Sequence, residues 1–122
     1  MPTVAVIGAS TDRSKFGNKA VRAYVRQRWT IYPVHPTAAE IEGVTAYPSL
    51  RDVPGPVQRI AIYLPPEVGI DVLPDIAAVE HDEFFVNPGA ESEALIARAK
   101  ELGLDPMQTC AIIEVGESPS TL

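Results

Sequence analysis

Short apolar runs alternate with amphipathic stretches of helical period along nearly the whole chain, and turn formers punctuate the joins. The first run predicts a strand over about Thr3–Ile7. A helix is expected from Phe16–Asn18 to about Arg28, because Ala20, Val21, Tyr24 and Val25 fall on one face. A second strand is expected over Thr30–Val34, closed by His35-Pro36. Ala38–Glu42 reads as a helical turn, and Val44–Leu50 leads into the turn-rich Arg51-Asp52-Val53-Pro54-Gly55-Pro56. A third strand, Arg59–Leu64, stops at Pro65-Pro66. The helix after it, about Glu67–Val79, carries Val68, Val72, Leu73 and Ile76 as its buried stripe, and Pro74 is expected to kink or split it. A fourth strand, Glu83–Val86, ends at Asn87-Pro88-Gly89. A last helix, about Ser92–Leu102, has Gly103 as its C-cap, and a last strand lies within Met107–Ile113. The polar residues from Gly116, the segment 116–122, are expected to fray.

Five strands joined by four helical or irregular crossovers predict a three-layer α/β fold with a mostly parallel sheet, in one domain over residues 1–122. In such a sheet a ligand lies beyond the carboxyl ends of the strands, where the strand order reverses. The residues there are Gly8-Ala9-Ser10, His35-Pro36, Tyr63-Leu64-Pro65-Pro66 and Asn87-Pro88-Gly89. Each proline could equally serve only to end its strand.

The first of these turns carries the clearest chemistry. The run Val4-Ala5-Val6-Ile7 breaks at Gly8 into Ala9, Ser10, Thr11, Asp12, Arg13, Ser14 and Lys15, and Phe16, Gly17 and Asn18 open the helix. A glycine turn leading into a helix N-terminus presents unpaired N–H groups and the positive end of a dipole, which suits phosphate. The full dinucleotide fingerprint is missing, since glycines fall at 8 and 17 only. Arg13 and Lys15 supply local positive charge, so the loop reads as an anion site built from side chains and backbone together.

Composition narrows the ligand. Apolar residues are 46% of 122, which excludes disorder, and no stretch approaches the ~20 apolar residues that cross a bilayer. The chain enters its first strand without signal-peptide features, and its one cysteine, Cys110, fits a reducing, cytoplasmic setting. A net charge of −6 with three lysines argues against nucleic acid but not against a small anion. NAD needs an acid about 20 residues past the glycine loop, and Ile31–Pro36 has none. No GxxxxGK[ST] loop or paired acid supports ATP hydrolysis.

Gly8-Ala9-Ser10, Pro33-Val34-His35-Pro36 and Ile62-Tyr63-Leu64-Pro65-Pro66 together resemble the coenzyme A-binding domain, the small Rossmann-like module that is also the first domain of the succinyl-CoA synthetase alpha subunit. The resemblance runs from residue 3 to about 114, with Asn87-Pro88-Gly89 and Thr109-Cys110 where that family has later motifs. It implies coenzyme A or an acyl-CoA as ligand, with Ser10, Thr11, Asp12 and Arg13 around the phosphates. It places His35 and Pro36 beside the adenosine or its 3′-phosphate. Tyr63, Pro65 and Pro66 would wall the adenine and pantetheine side, and Val86, Asn87 and Pro88 the floor. Two departures stand out. Thr37-Ala38 replace a lysine common after the strand-two proline, and Asn87-Pro88 replace a glutamine or glutamate before glycine.

No catalytic constellation is evident in the chain, and no metal ligands cluster. The synthetase subunit's phosphorylated histidine belongs to a second domain, His35 sits in a turn, and His81 lies in the acidic segment Glu80-His81-Asp82-Glu83. Cys110 has no positive neighbour in sequence to activate it, and reads as structural. The expectation is a CoA-binding protein without catalysis of its own. Two alternatives stay open: an oxidoreductase or transferase using NAD(P) or another nucleotide, and an interaction module that keeps the fold without the ligand. A membrane is not expected among its partners; a protein partner or homo-oligomer is left open.

Overall fold

The computed structural model describes residues 2–122. Five parallel strands form the main sheet: β1 (Thr3–Ile7), β2 (Thr30–Val34), β5 (Arg59–Ile62), β6 (Glu83–Val86) and β7 (Pro106–Gln108), in the spatial order β2-β1-β5-β6-β7. Alternate strand residues feed two cores, as the period of a strand requires. Val4, Val6, Ala61 and Phe85 pack under helices α1 (Phe16–Arg26) and α4 (Ala111–Glu114). Ala5, Ile7, Ile60, Ile62, Phe84 and Val86 pack under α2 (Pro66–Ala78) and α3 (Glu93–Glu101) on the other face. The expected three-layer Rossmann-like architecture is therefore present.

Several elements differ from the sequence reading. Ala38–Glu42 is no helical turn: Glu40–Ile41 (β3) and Val44–Thr45 (β4) form an antiparallel hairpin, whose two-residue strands are too short for any periodicity to show. Helix α2 runs unbroken through Pro74, whose ring lies on the solvent side, where water can satisfy the carbonyl it leaves without a donor. The last strand starts earlier than expected, and Ile112 and Ile113 belong to α4 instead. The segment from Gly116 contains a 3-10 turn at Pro119–Thr121; Arg26 pairs with Glu117 at 3.6 Å, and Leu122 packs against the α1 core.

Chain direction creates the site. From β1 the chain crosses through α1 to β2, on one side, and later returns to β5 on the other side of β1. The loops after β1 and β5 therefore part from one seam, the topological switch point of such sheets. At the far end of the same seam the fold is closed off. There the Arg59 guanidinium lies 4.7 Å from the Trp29 ring and 4.6 Å from the Phe85 ring, paired with Glu83 at 3.0 Å. β2 is an edge strand, which is why Pro33 is accommodated within it.

Candidate functional site

Gly8 leaves β1 at a φ of +90°, and a side chain there would place its Cβ 2.9 Å from the Tyr63 carbonyl. The Tyr63 N–H continues the pairing by donating to the Ile7 carbonyl at 2.8 Å. The first turn of α1 packs on the same backbone, since a Cβ on Gly17 would fall 2.1 Å from the Gly8 oxygen. These two glycines let strand, helix and Tyr63 meet without side chains between them.

Two chambers open on either side of this junction. One, of about 600 Å³, lies toward β6 and is lined by Ser14, Phe16, Gly17, Pro66, Pro88 and Gly89 among others. The second, of about 440 Å³, lies toward β2, with Ala9, Ser10, His35, Pro36, Pro48 and Val68 in its wall. Gly8, Lys15, Tyr63, Leu64 and Pro65 line both, forming a shared ridge. A separate groove of about 470 Å³ on α3, lined by Glu91, Glu93 and Lys100, includes no residue of the glycine loop.

The polar inventory favours an anion at the ridge. Lys15 reaches both chambers and takes part in none of the ion pairs among the described residues. The amides of Phe16 and Gly17, at the start of α1, have no hydrogen-bond partner among the described residues. His35 accepts from the amides of Thr37 at 3.1 Å and Ala38 at 2.9 Å through Nδ1, which leaves Nε2 as the N–H of the neutral ring. Tyr63 lines both chambers and packs against the α1-side core, and its hydroxyl is buried without a partner among the described residues. Burial, and then the nearby Cys110 and Tyr24, push that phenol well above the usual tyrosine range.

Other residues named from the sequence lie elsewhere. Arg13 pairs with Glu42 and lines a different, smaller cavity with Arg22 and Arg26. Thr11 and Asp12 are exposed outside both chambers. The Asp12 carboxylate is held below its ordinary range by the Ser14 hydroxyl at 2.7 Å and the Ser14 amide at 3.0 Å, so it organises its own loop. Asn18 is fully buried, its amide bonded to the Ser10 carbonyl at 2.9 Å and to Glu42. Val86 is fully buried below the site. Asn87 spends both ends of its amide on backbone, donating to the Ile62 carbonyl at 3.0 Å and accepting from the Ala111 amide at 2.8 Å.

The structure also adds residues that the sequence reading left out. Pro48 arrives because Tyr47 bridges to Val34 and accepts the His35 amide at 2.9 Å. Val68, expected in a buried stripe, is 46% exposed and faces the β2-side chamber. An apolar residue lining a ligand groove has the same helical spacing as a core residue, so only its exposure identifies it.

Known proteins resemble this chain in sequence and fold. An ADP-forming acetate–CoA ligase II alpha subunit of Pyrococcus furiosus is 40% identical over 65 residues, covering 51% of this chain and 14% of the ligase. The chain thus corresponds to a small part of that relative's length. A conserved hypothetical protein of the same organism superposes with a TM-score of 0.84 at 29% identity, covering 93% of this chain and 99% of that one. A dinucleotide-forming acetyl-coenzyme A synthetase of Ca. Korarchaeum cryptofilum, solved with phosphate and ADP, superposes with a TM-score of 0.76 at 30% identity, covering 88% of this chain and 25% of the synthetase. The profile of the CoA binding domain matches residues 2–116. With that match over nearly its whole length, the chain belongs to the CoA binding domain family.

Proposed function

We propose that the domain binds coenzyme A or an acyl-CoA across the two joined chambers. The observation that carries this reading is the shared ridge, where Lys15 stands between two largely apolar hollows, with the free Phe16 and Gly17 amides next to it in the β6-side one. Coenzyme A has that layout, with phosphates between a flat base and a flexible arm. The phosphates would lie on the Gly8–Ser10 loop, against Lys15 and the α1 amides. The adenosine would lie toward β2 beside His35, Pro36 and Pro48, with the Nε2–H of His35 as a donor to it. The pantetheine arm would pass Tyr63 and Pro66 toward Pro88. No residue of this chain is assigned a step in acyl activation, and the reading is of a protein that holds or presents the coenzyme. The family membership and the sequence likeness to CoA ligases support it.

Mass spectrometry of gently purified protein tests the reading, with co-purified coenzyme A or an acyl derivative as the expected result. Ser10→Trp fills the β2-side chamber at a half-buried position of the loop. It should remove the ligand while circular dichroism stays native; a ligand retained by that variant would place binding elsewhere.

A further inference from the structure

The β3–β4 hairpin turns at Glu42 and Gly43, with φ of +51° and +76°. Two-residue turns of this kind favour Asn, Asp or Gly in the first position, because those residues tolerate left-handed backbone. Glutamate does not share that tolerance, so its presence there directs attention to its side chain. That side chain reaches back to the glycine loop. One carboxylate oxygen accepts from Asn18 Nδ2 at 3.1 Å, and the other pairs with Arg13. Asn18 Nδ2 also donates to the Ser10 carbonyl at 2.9 Å, and Asn18 Oδ1 accepts from Arg22 Nε at 2.8 Å. Arg22 in turn donates to the Arg13 carbonyl at 2.8 Å. The loop between β1 and α1 is thereby fastened at Ser10 and at Arg13. Asn18, Arg22 and Glu42 are not among the residues lining either chamber.

We propose that Glu42 is a positioning residue for the phosphate loop, a role that rests on the coenzyme A reading of the chambers. It holds Asn18 and Arg13 so that the loop amides and Lys15 stand ready before the ligand arrives. The sign of its effect separates this role from simple electrostatics. A carboxylate acting only through its field repels an anion, and its removal strengthens anion binding. A carboxylate acting as a latch has the opposite effect, because without it the ligand must order the loop at the expense of affinity.

Two variants of the whole chain test the latch. Glu42→Gly removes the carboxylate at a position where glycine accepts the positive φ, so the hairpin backbone is kept. Glu42→Gln keeps a single carbonyl oxygen and with it one of the two contacts. Calorimetric titration with coenzyme A should show Glu42→Gly weaker than wild type by about threefold to tenfold, with Glu42→Gln between. Hydrogen exchange of the free protein should become faster over the loop, residues 10–15, in Glu42→Gly. Unchanged or tighter binding, or unchanged exchange, overturns the latch. If wild-type protein takes up no coenzyme A, the reading of the chambers falls, and exchange alone decides whether Glu42 fastens the loop.

Discussion

Arg13 and Lys15 stand two residues apart in one loop and serve different cavities: Arg13 is paired with Glu42, and Lys15 lines both chambers of the site. Sequence spacing alone gives the two cations equal claim to a bound phosphate. The structure separates them, because the loop turns at Arg13, where the Asp12 carboxylate accepts from the Ser14 amide and hydroxyl.

Lys15→Ala should therefore weaken coenzyme A binding by about 1 kcal/mol and flatten its dependence on salt, since an unpaired charge facing the ligand is lost. Arg13→Ala should leave the salt dependence close to wild type, any loss of affinity coming through the loop. Titrations of both variants at two ionic strengths check this, and equal flattening would return Arg13 to the site.

Ligand choice is a second test. The end of β2 offers Val34, His35 and Pro36 to the chamber and no carboxylate for a ribose diol. Coenzyme A, acyl-CoA or 3′-phospho-ADP should raise the melting temperature more than NAD or ATP. At a hundredfold excess over Kd, binding to the native state contributes ~2.7 kcal/mol. A larger shift with NAD would reverse the ranking.

Asn87→Leu should destabilise the fold by about 2–4 kcal/mol, because it leaves the Ile62 carbonyl and the Ala111 amide buried without partners. Urea titration should show a lower midpoint with an unchanged slope. A midpoint equal to wild type would mean that neither bond contributes.

Acid should loosen the loop. Asp12 is held below its ordinary carboxylate value first by the Ser14 hydroxyl, and Glu42 first by the Asn18 amide and then by Arg13. Each folded value lies below the unfolded one, so the stability these groups contribute is complete above the ordinary carboxylate range. It is lost as pH falls through that range toward the folded values. Both groups are exposed, so the effect should be small and local. Amide resonances of Ser14 and Asn18 should shift at low pH before the sheet melts.

Much of the fold is legible in the sequence because apolar runs ended by turn formers mark buried parallel strands. β2 and β6 begin and end where the pattern says. What escapes has physical reasons. The β3–β4 hairpin has two-residue strands and a Glu-Gly turn, and offers no alternation to read. At the site, a buried asparagine that satisfies backbone looks in sequence like one that meets a ligand, as at Asn18 and Asn87. The chamber residues Pro48 and Val68 come from a segment beside β2 and from α2, and only the folded arrangement brings them to the wall of the β2-side chamber.

The ridge of Gly8, Lys15, Tyr63, Leu64 and Pro65 also makes recognition divisible. A molecule confined to one hollow gains nothing from the other, whereas one that crosses the ridge brings its second half to an already tethered first. Tethering multiplies weak contacts through effective concentration. Two separate fragments, one for each hollow, should therefore bind feebly and together at once, while the intact molecule that joins them outcompetes both at far lower dose.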